Sequence, residues 1–265
     1  MAHHEFVGGS VVDSNDRLAS EARRICAESD RRGLTLRLCG GVGFYLHAGD
    51  PSRFERLGRG PFQDLDFVGL SEERTKYKQL FKDLGYEIDQ DMLVAAEGRR
   101  FLFRRTGEES VEVDVFIDRL AMCHTLQLRE RLALQPQTVP LVDLMLQKLQ
   151  IVDLTRKDTV DVVVLLADHD LGTGSPDVVD AAHAAALLRD DWGFYYTAMS
   201  NVHNIREFAA NAPLETDVRD VVIDRLARFA QALESADKTR KWKLRAKVGT
   251  RKKWYDDVEE DIAAF

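Results

Sequence analysis

Gln63-Asp64-Leu65-Asp66-Phe67-Val68 is the stretch whose alternation decides how the first half of the chain folds. In a strand, successive side chains point to opposite faces, so Asp64 and Asp66 share one face while Leu65 and Phe67 share the other. Upstream, Leu34-Thr35-Leu36-Arg37-Leu38-Cys39 reads as a short apolar strand broken by Gly40-Gly41, and Val42 to about Gly49 as a short helix leading off the glycines. A strand, a glycine pair and a helix in that order place backbone N–H groups and a positive helix end where a phosphate would bind. Downstream, Val111-Glu112-Val113-Asp114-Val115-Phe116-Ile117-Asp118 alternates in the same way. If it pairs beside the first strand, Asp114 joins Asp64 and Asp66. Three carboxylates in contact raise one another's pKa unless a cation lies between them, which is the reason to expect a metal there. The alternatives are that Asp64 and Asp66 are ion-pair partners of Arg37 or Arg59, and that Glu112 or Asp118 takes the place of Asp114.

Outward from this core the elements follow in order. Asp13 to about Arg32 is a helix with Leu18, Ala22, Ile25 and Cys26 on one face and Gly33 as its stop. Residues 50 to 62 hold Pro51, Gly58, Gly60 and Pro61, so they read as a loop carrying Arg53, Arg56 and Arg59 towards the Asp64 strand. Arg59 would either pair with a carboxylate or steer a polyphosphate. Ser71 is placed to cap a helix ending at Gly85. Short strands are expected at Tyr86–Ile88, Leu93–Ala96, Arg100–Phe103 and Val111–Ile117, with a turn at Gly107-Glu108-Glu109-Ser110. From Pro140 the pattern is helical: one helix with Leu141, Leu144, Met145, Lys148 and Leu149 on a broad face, and a second from about Asp158 to Ala167. Others are opened by Ser175-Pro176-Asp177, by Asp191 and by Pro213-Leu214. The class is therefore α+β: a mixed sheet with helices over residues 1–135, and a helical region over 136–265.

At 265 residues, with 45% hydrophobic and 31% charged residues, the composition is that of an ordinary soluble protein. No segment approaches the roughly 18 uninterrupted apolar residues of a membrane span, so no membrane partner is expected. Met1-Ala2-His3-His4-Glu5-Phe6 lacks the pattern of a signal peptide, and the expected location is cytoplasmic; no function attaches to His3-His4. Cys26, Cys39 and Cys123 are widely spaced, which suits reduced thiols and argues against zinc. The net charge of −8 conceals an acid-free basic run from Lys238 through Trp242 to Trp254. Cations interleaved with Trp would hold a phosphate backbone and stack on bases; alternatively they balance the acids of Asp256-Asp257-Val258-Glu259-Glu260-Asp261.

Taken together, these residues resemble the nucleotidyltransferase superfamily, which contains DNA polymerase beta, and more narrowly its abortive-infection, AbiEii-type branch. The resemblance is carried by Leu38-Cys39-Gly40-Gly41-Val42, the Arg59 loop, Asp64-Leu65-Asp66-Phe67, Leu144-Met145-Leu146-Gln147-Lys148-Leu149 and Arg156-Lys157-Asp158-Thr159-Val160-Asp161. It spans about residues 34 to 168, and Gly41 stands where many catalytic members carry Ser. It implies transfer of an NMP from an NTP to an acceptor with loss of pyrophosphate, chemistry that asks mainly for positioning and charge neutralisation.

In that reading Asp64, Asp66 and Asp114 hold one or two Mg ions, with Mn as substitute, and Asp114 is alternatively a general base. Gly40, Gly41 and Val42 face the triphosphate with Arg59, Lys148 neutralises it, and Asp158 and Asp161 orient Lys148 or Arg156 beside the nucleotide. The resemblance to toxin members, with the basic segment, implies an RNA or tRNA-end acceptor and an antitoxin partner; an aminoglycoside-type small molecule is the other acceptor. A catalytically silent nucleotide-binding regulator of the same fold is the alternative of a different class.

Overall fold

The structure, a computed structural model, describes residues 11–107 and 110–257. The readings placed on Met1–Phe6, on Glu108 and Glu109 and on the acids from Glu259 onward lie outside the described residues. The first half contains α1 (Val11–Arg31), β1 (Leu36–Cys39), α2 (Gly40–Leu46), α3 (Ser52–Arg56), β2 (Asp64–Gly69), α4 (Arg74–Asp83), β3 (Glu87–Ile88), α5 (Gln90–Ala95), β4 (Arg100–Arg105), β5 (Val111–Ile117), β6 (Arg119–Ala121) and β7 (Thr125–Gln127). The second is helical: α6 (Leu141–Leu149), α7 (Arg156–Asp168), α8 (Ala181–Leu188), α9 (Trp192–Asn211), α10 (Thr216–Ser235) and α11 (Arg240–Val248). The α+β class holds, with a mixed sheet followed by a helical region.

The main sheet has the order β1-β2-β5-β4-β3, with β2 and β5 parallel and the other neighbours antiparallel. Leu65, Phe67, Val113, Val115, Phe101 and Phe103 alternate onto one buried face, where Phe81 of α4 stacks on Phe103 at 4.2 Å. The outer side of β1 is not left bare. Leu38 N–H donates to Gln137 O at 2.8 Å and Val139 N–H to Leu38 O at 3.0 Å, so the chain entering α6 is stitched to the sheet. Most buried apolar residues among those described form one connected core from Leu18 of α1 to Leu233 of α10, with Met92, Ala96 and Leu102 as a small separate cluster.

Four local expectations are corrected. Residues 52–56 of the expected loop form α3, because Phe54 is fully buried and gives one apolar anchor to a helical turn. Leu93–Ala96 is not a strand: Asp89 accepts the Met92 N–H and starts α5, burying Met92 and Ala96 against Leu102. Ser71 does not cap α4; its N–H donates to Asp118 Oδ1 and a 3-10 turn over Ser71–Glu73 precedes the helix. Ser175 does not open α8; Asp180 caps it by accepting the His183 N–H at 2.9 Å. No helix among the described residues is long and apolar enough to cross a membrane.

Candidate active site

The parallel register of β2 and β5 sets Asp66 opposite Asp114 and Asp64 opposite Glu112, so four acidic side chains stand on one face. On the other flank of Asp66, the antiparallel register with β1 places Cys39, whose thiol is pushed well above its ordinary value by burial and by the Asp66 carboxylate. Sequence alternation thus found the right face and the right neighbour strand.

The acids on the two strands are treated differently. Arg104 of β4 donates to Glu112 at 2.7 Å, and Arg100 donates through Nε and Nη2 to both oxygens of Asp114, at 2.6 and 2.8 Å. Asp64 and Asp66 have no side-chain hydrogen bond or ion pair with another described residue. Burial raises the Asp66 carboxyl well above its ordinary range, Asp64 and Asp114 add to this, and Lys148 and Arg100 pull the other way. Asp64 is raised too, by burial first, against Lys148 and Arg59.

Of the three carboxylates expected to converge on one ion, Asp114 is paired with Arg100, whereas Asp64 and Asp66 are not. Among the described residues no group of three or more His, Cys, Asp or Glu is arranged to hold a metal. Asp114 sits beside Asp66, but both its oxygens are held by a guanidinium. Burial pushes its carboxyl up, yet two short parallel bonds to Arg100 are the geometry of an ionised carboxylate. The alternative partners for Asp64 and Asp66 are also excluded: Arg37 donates to Leu132 O and Leu36 O, and Arg59 to Asp161.

The glycine turn is packed directly onto these acids. Gly40 has φ +62, and a Cβ built there would lie 1.8 Å from Asp66 Oδ2. A Cβ on Gly41 would lie 2.5 Å from the Phe62 ring and 2.9 Å from an Arg59 nitrogen. The glycines thus let the turn close against Asp66, Phe62 and Arg59. Gly40 N–H donates to Gln147 Oε1 at 3.2 Å, and Gln147 is buried with its Nε2 unpartnered. Val42 is buried in the first turn of α2, where helix N–H groups lack intrahelical acceptors.

From the helical half, Lys148 of α6 reaches Asp158 Oδ1 at 2.7 Å and Asp161 Oδ2 at 3.1 Å. Burial acts to lower the Lys148 pKa, but the two carboxylates outweigh it and hold the ammonium charged. Asp158 is fixed in turn by a capping box with Thr155. Asp161 is fully buried and accepts from Arg59 Nε at 3.0 Å, while the Arg59 guanidinium lies 4.1 Å over Phe62. Asp158 and Asp161 therefore pair with Lys148 and not with Arg156. Arg156 donates to Leu57 O and lies over Phe208, bracing the segment before Arg59.

Two residues were missed by sequence reasoning, Arg100 and Gln147. Arg100 and Arg104 alternate on β4 as Glu112 and Asp114 do on β5, and this charge complementarity was a readable signal. Gln147 carried none.

A cleft of about 630 Å³ lies elsewhere, between α1 and the sheet, lined by Arg17, Glu21, Arg24, Gln63 and Arg105. By strand alternation Gln63 points away from the face that carries Asp64. Within the basic segment the tryptophans face inward: Trp242 packs edge-on against Tyr195, and Trp254 donates to Thr197 Oγ1 at 3.1 Å and packs on Tyr196. Both rings thus anchor the segment to α9 while remaining half-buried. Arg240, Lys243, Lys247 and Lys252 remain exposed, with no side-chain partner among the described residues.

No family model matches the chain, and no curated protein matches it. Among solved structures, the crystal structure of an antigenic nucleotidyltransferase-like protein from Paracoccidioides brasiliensis is similar at 12% identity, with a TM-score of 0.34 over 84% of this chain and 95% of that one.

Proposed function

We propose that the chain is a metal-dependent nucleotidyltransferase that moves an NMP from an NTP to an RNA acceptor, a tRNA end in the favoured form, and releases pyrophosphate. One observation carries this reading. Of the acids around the glycine turn, Glu112, Asp114, Asp158 and Asp161 each have a cation, while Asp64 and Asp66 are left half-buried, adjacent and unpaired. A fold that retains two mutually repelling carboxylates in this way loses stability unless a cation joins them.

The donor set fits magnesium, or manganese as substitute. Both are hard cations that take one or two carboxylates and complete their shell with water and substrate phosphates. Asp64 and Asp66 would hold the ion, which when bound supplies charge neutralisation at the transferring phosphate. Lys148, kept charged by Asp158 and Asp161, is the cation felt most strongly by both Asp64 and Asp66 and adds positive potential for a triphosphate. Gln147 holds the glycine turn in place through the Gly40 N–H and has a free amide donor for ligand oxygens. In the transfer, an acceptor oxygen bonds to the α-phosphorus, the α–β bridging P–O bond breaks, pyrophosphate leaves with the electron pair, and the acceptor proton passes to water.

The RNA acceptor is favoured over an aminoglycoside-type molecule by the four unpartnered cations on and after α11, which suit a phosphate backbone. Membership of the AbiEii-type branch, a toxin role and an antitoxin partner belong to the same reading. They predict that expression alone slows growth and that co-expression with the cognate partner restores it.

A second reading, a nucleotide-binding regulator without catalysis, is favoured by the Arg100 grip on Asp114, which removes one of the three expected carboxylates. Each labelled NTP in turn, with magnesium and total RNA, separates the two. Label transferred to RNA by the wild type and lost in Asp66→Asn supports the enzyme. Tight NTP binding with no labelled RNA, protein or small molecule supports the regulator.

A further inference from the structure

Resting on the nucleotidyltransferase reading, we infer that this site takes a single divalent cation, held by Asp64 and Asp66, and that the Arg100 guanidinium occupies the place of a second one. The charges around the face separate into two balanced units. Asp64 and Asp66 are two carboxyls without partners, and one dication neutralises the two charges they carry when both ionise around it. Asp114 presents one negative charge, and Arg100 neutralises it through two hydrogen bonds of 2.6 and 2.8 Å.

A second dication between Asp66 and Asp114 would need an Asp114 oxygen, and Arg100 holds both. It would also face a fixed positive charge already seated in bidentate contact with its ligand. Arg100 has little room to withdraw. Its residue is 7% exposed and Asp114 is 3% exposed, and the guanidinium lies 5.2 Å from the centre of the Phe116 ring, its neighbour in the strand register. The sheet itself therefore builds this cation in. β4 runs antiparallel to β5, Leu102 sits opposite Asp114, and Arg100 reaches diagonally along the same face. Asp66 stands next to Asp114 in β2 and feels the Arg100 charge as well. A cation that cannot dissociate replaces one that could, and the site needs one ion from solution.

The test counts ions on the full chain with Mn2+ as probe, following free Mn2+ by electron paramagnetic resonance without nucleotide. One ion per chain, lost in Asp64→Asn and in Asp66→Asn, is the expected result. Two ions per chain in the wild type overturns the inference and leaves the enzymatic reading standing; none overturns both. Arg100→Gln frees Asp114 and is expected to raise the count to two, while Arg100→Lys keeps the charge and the count of one. A folded Arg100→Gln chain that still binds one ion overturns the role given to Arg100. Because Arg100→Gln leaves a buried carboxylate unpaired and tests folding as well, the double variant Arg100→Gln with Asp114→Asn, neutral at both positions, is measured beside it. It is expected to bind one ion, and either none or two overturns the assignment.

Discussion

Arg59 of the β1–β2 connection and Asp161 of α7 meet at 3.0 Å in a place where Asp161 is fully buried and Arg59 nearly so. Lys148 closes on the same carboxylate from α6 at 3.1 Å. One side chain thus joins the glycine-turn half of the molecule to the helical half and balances two cations. Asp161→Ala would leave both without their shared carboxylate. Breaking a buried pair by removing one partner costs about 3–5 kcal/mol. Urea unfolding should show a loss of that size, with Asp161→Asn closer to the lower end. A change within error would show that the pairing holds nothing together.

Gly40 is the position where a methyl group has nowhere to go. Its φ of +62 disfavours any Cβ, and that Cβ would overlap Asp66 Oδ2 at 1.8 Å. Gly40→Ala should cost at least the about 1–3 kcal/mol typical of overpacking and should abolish transfer by displacing Asp66. Gly60→Ala is the control, since nothing lies within 4 Å of its added Cβ. It should stay within about 0.5 kcal/mol of wild type. Equal effects at the two glycines would remove the argument for close packing at the turn.

Asp66→Asn should raise stability and destroy activity together. The folded state holds this carboxyl well above its ordinary pKa, so the ionised form is disfavoured by burial, Asp64 and Asp114, and a neutral amide is relieved of that cost. Thermal melting without added metal should move upward, and transfer should fall by at least the roughly 100-fold seen for losses around metal ligands. A lower melting temperature would mean that Asp66 is a structural acid.

These features were unequally legible in the sequence. Strand alternation alone put Asp64 and Asp66 on one face, and Pro140 marked the start of α6, because both signals are local. The fate of Asp114 was not local. It depends on β4 lying beside β5 in the register that sets Leu102 opposite Asp114, a pairing that no short window encodes. The Leu93–Ala96 error has a different cause: a four-residue apolar run fits strand or helix equally, and the Asp89 cap that settles it sits outside the run. At 238–254 the composition was read correctly as basic and aromatic, but burial on α9, which composition does not report, decides which way each Trp faces.

Away from the site, Asp143 of α6 predicts a pH dependence. It is fully buried, its Oδ2 accepts from Arg131 Nε at 2.5 Å, and its Oδ1 lies 3.7 Å from His183 Nε2 of α8, with Asp180 nearby at the start of that helix. Burial pushes its carboxyl up to about 6, against the attraction of Arg131 and with a further push from Asp180. A folded pKa above the unfolded value means that the folded state binds the proton more tightly. Stability from this group is full below about pH 4 and is lost as pH rises through about 6, a change of about 3 kcal/mol. Asp143→Asn should flatten that part of the stability curve relative to wild type. A difference curve that is level between pH 4 and 7 would refute it.

The basic segment predicts a separation of two effects that composition alone would merge. Trp242 and Trp254 are half-buried against α9, so Trp254→Ala should lower stability by about 1–3 kcal/mol, less than a fully buried aromatic, and leave RNA affinity of the folded fraction unchanged. Lys243→Gln with Lys247→Gln should do the reverse. Neither ammonium has a partner among the described residues, so folding should change by less than about 0.5 kcal/mol. Removing one cation from a phosphate should reduce the slope of log affinity against log salt by about 1, so the double variant should reduce it by about 2. Filter binding of total RNA across a salt series measures this directly. An unchanged slope would place the acceptor elsewhere on the molecule, whereas a loss of RNA affinity in Trp254→Ala at full folding would restore base stacking to that ring.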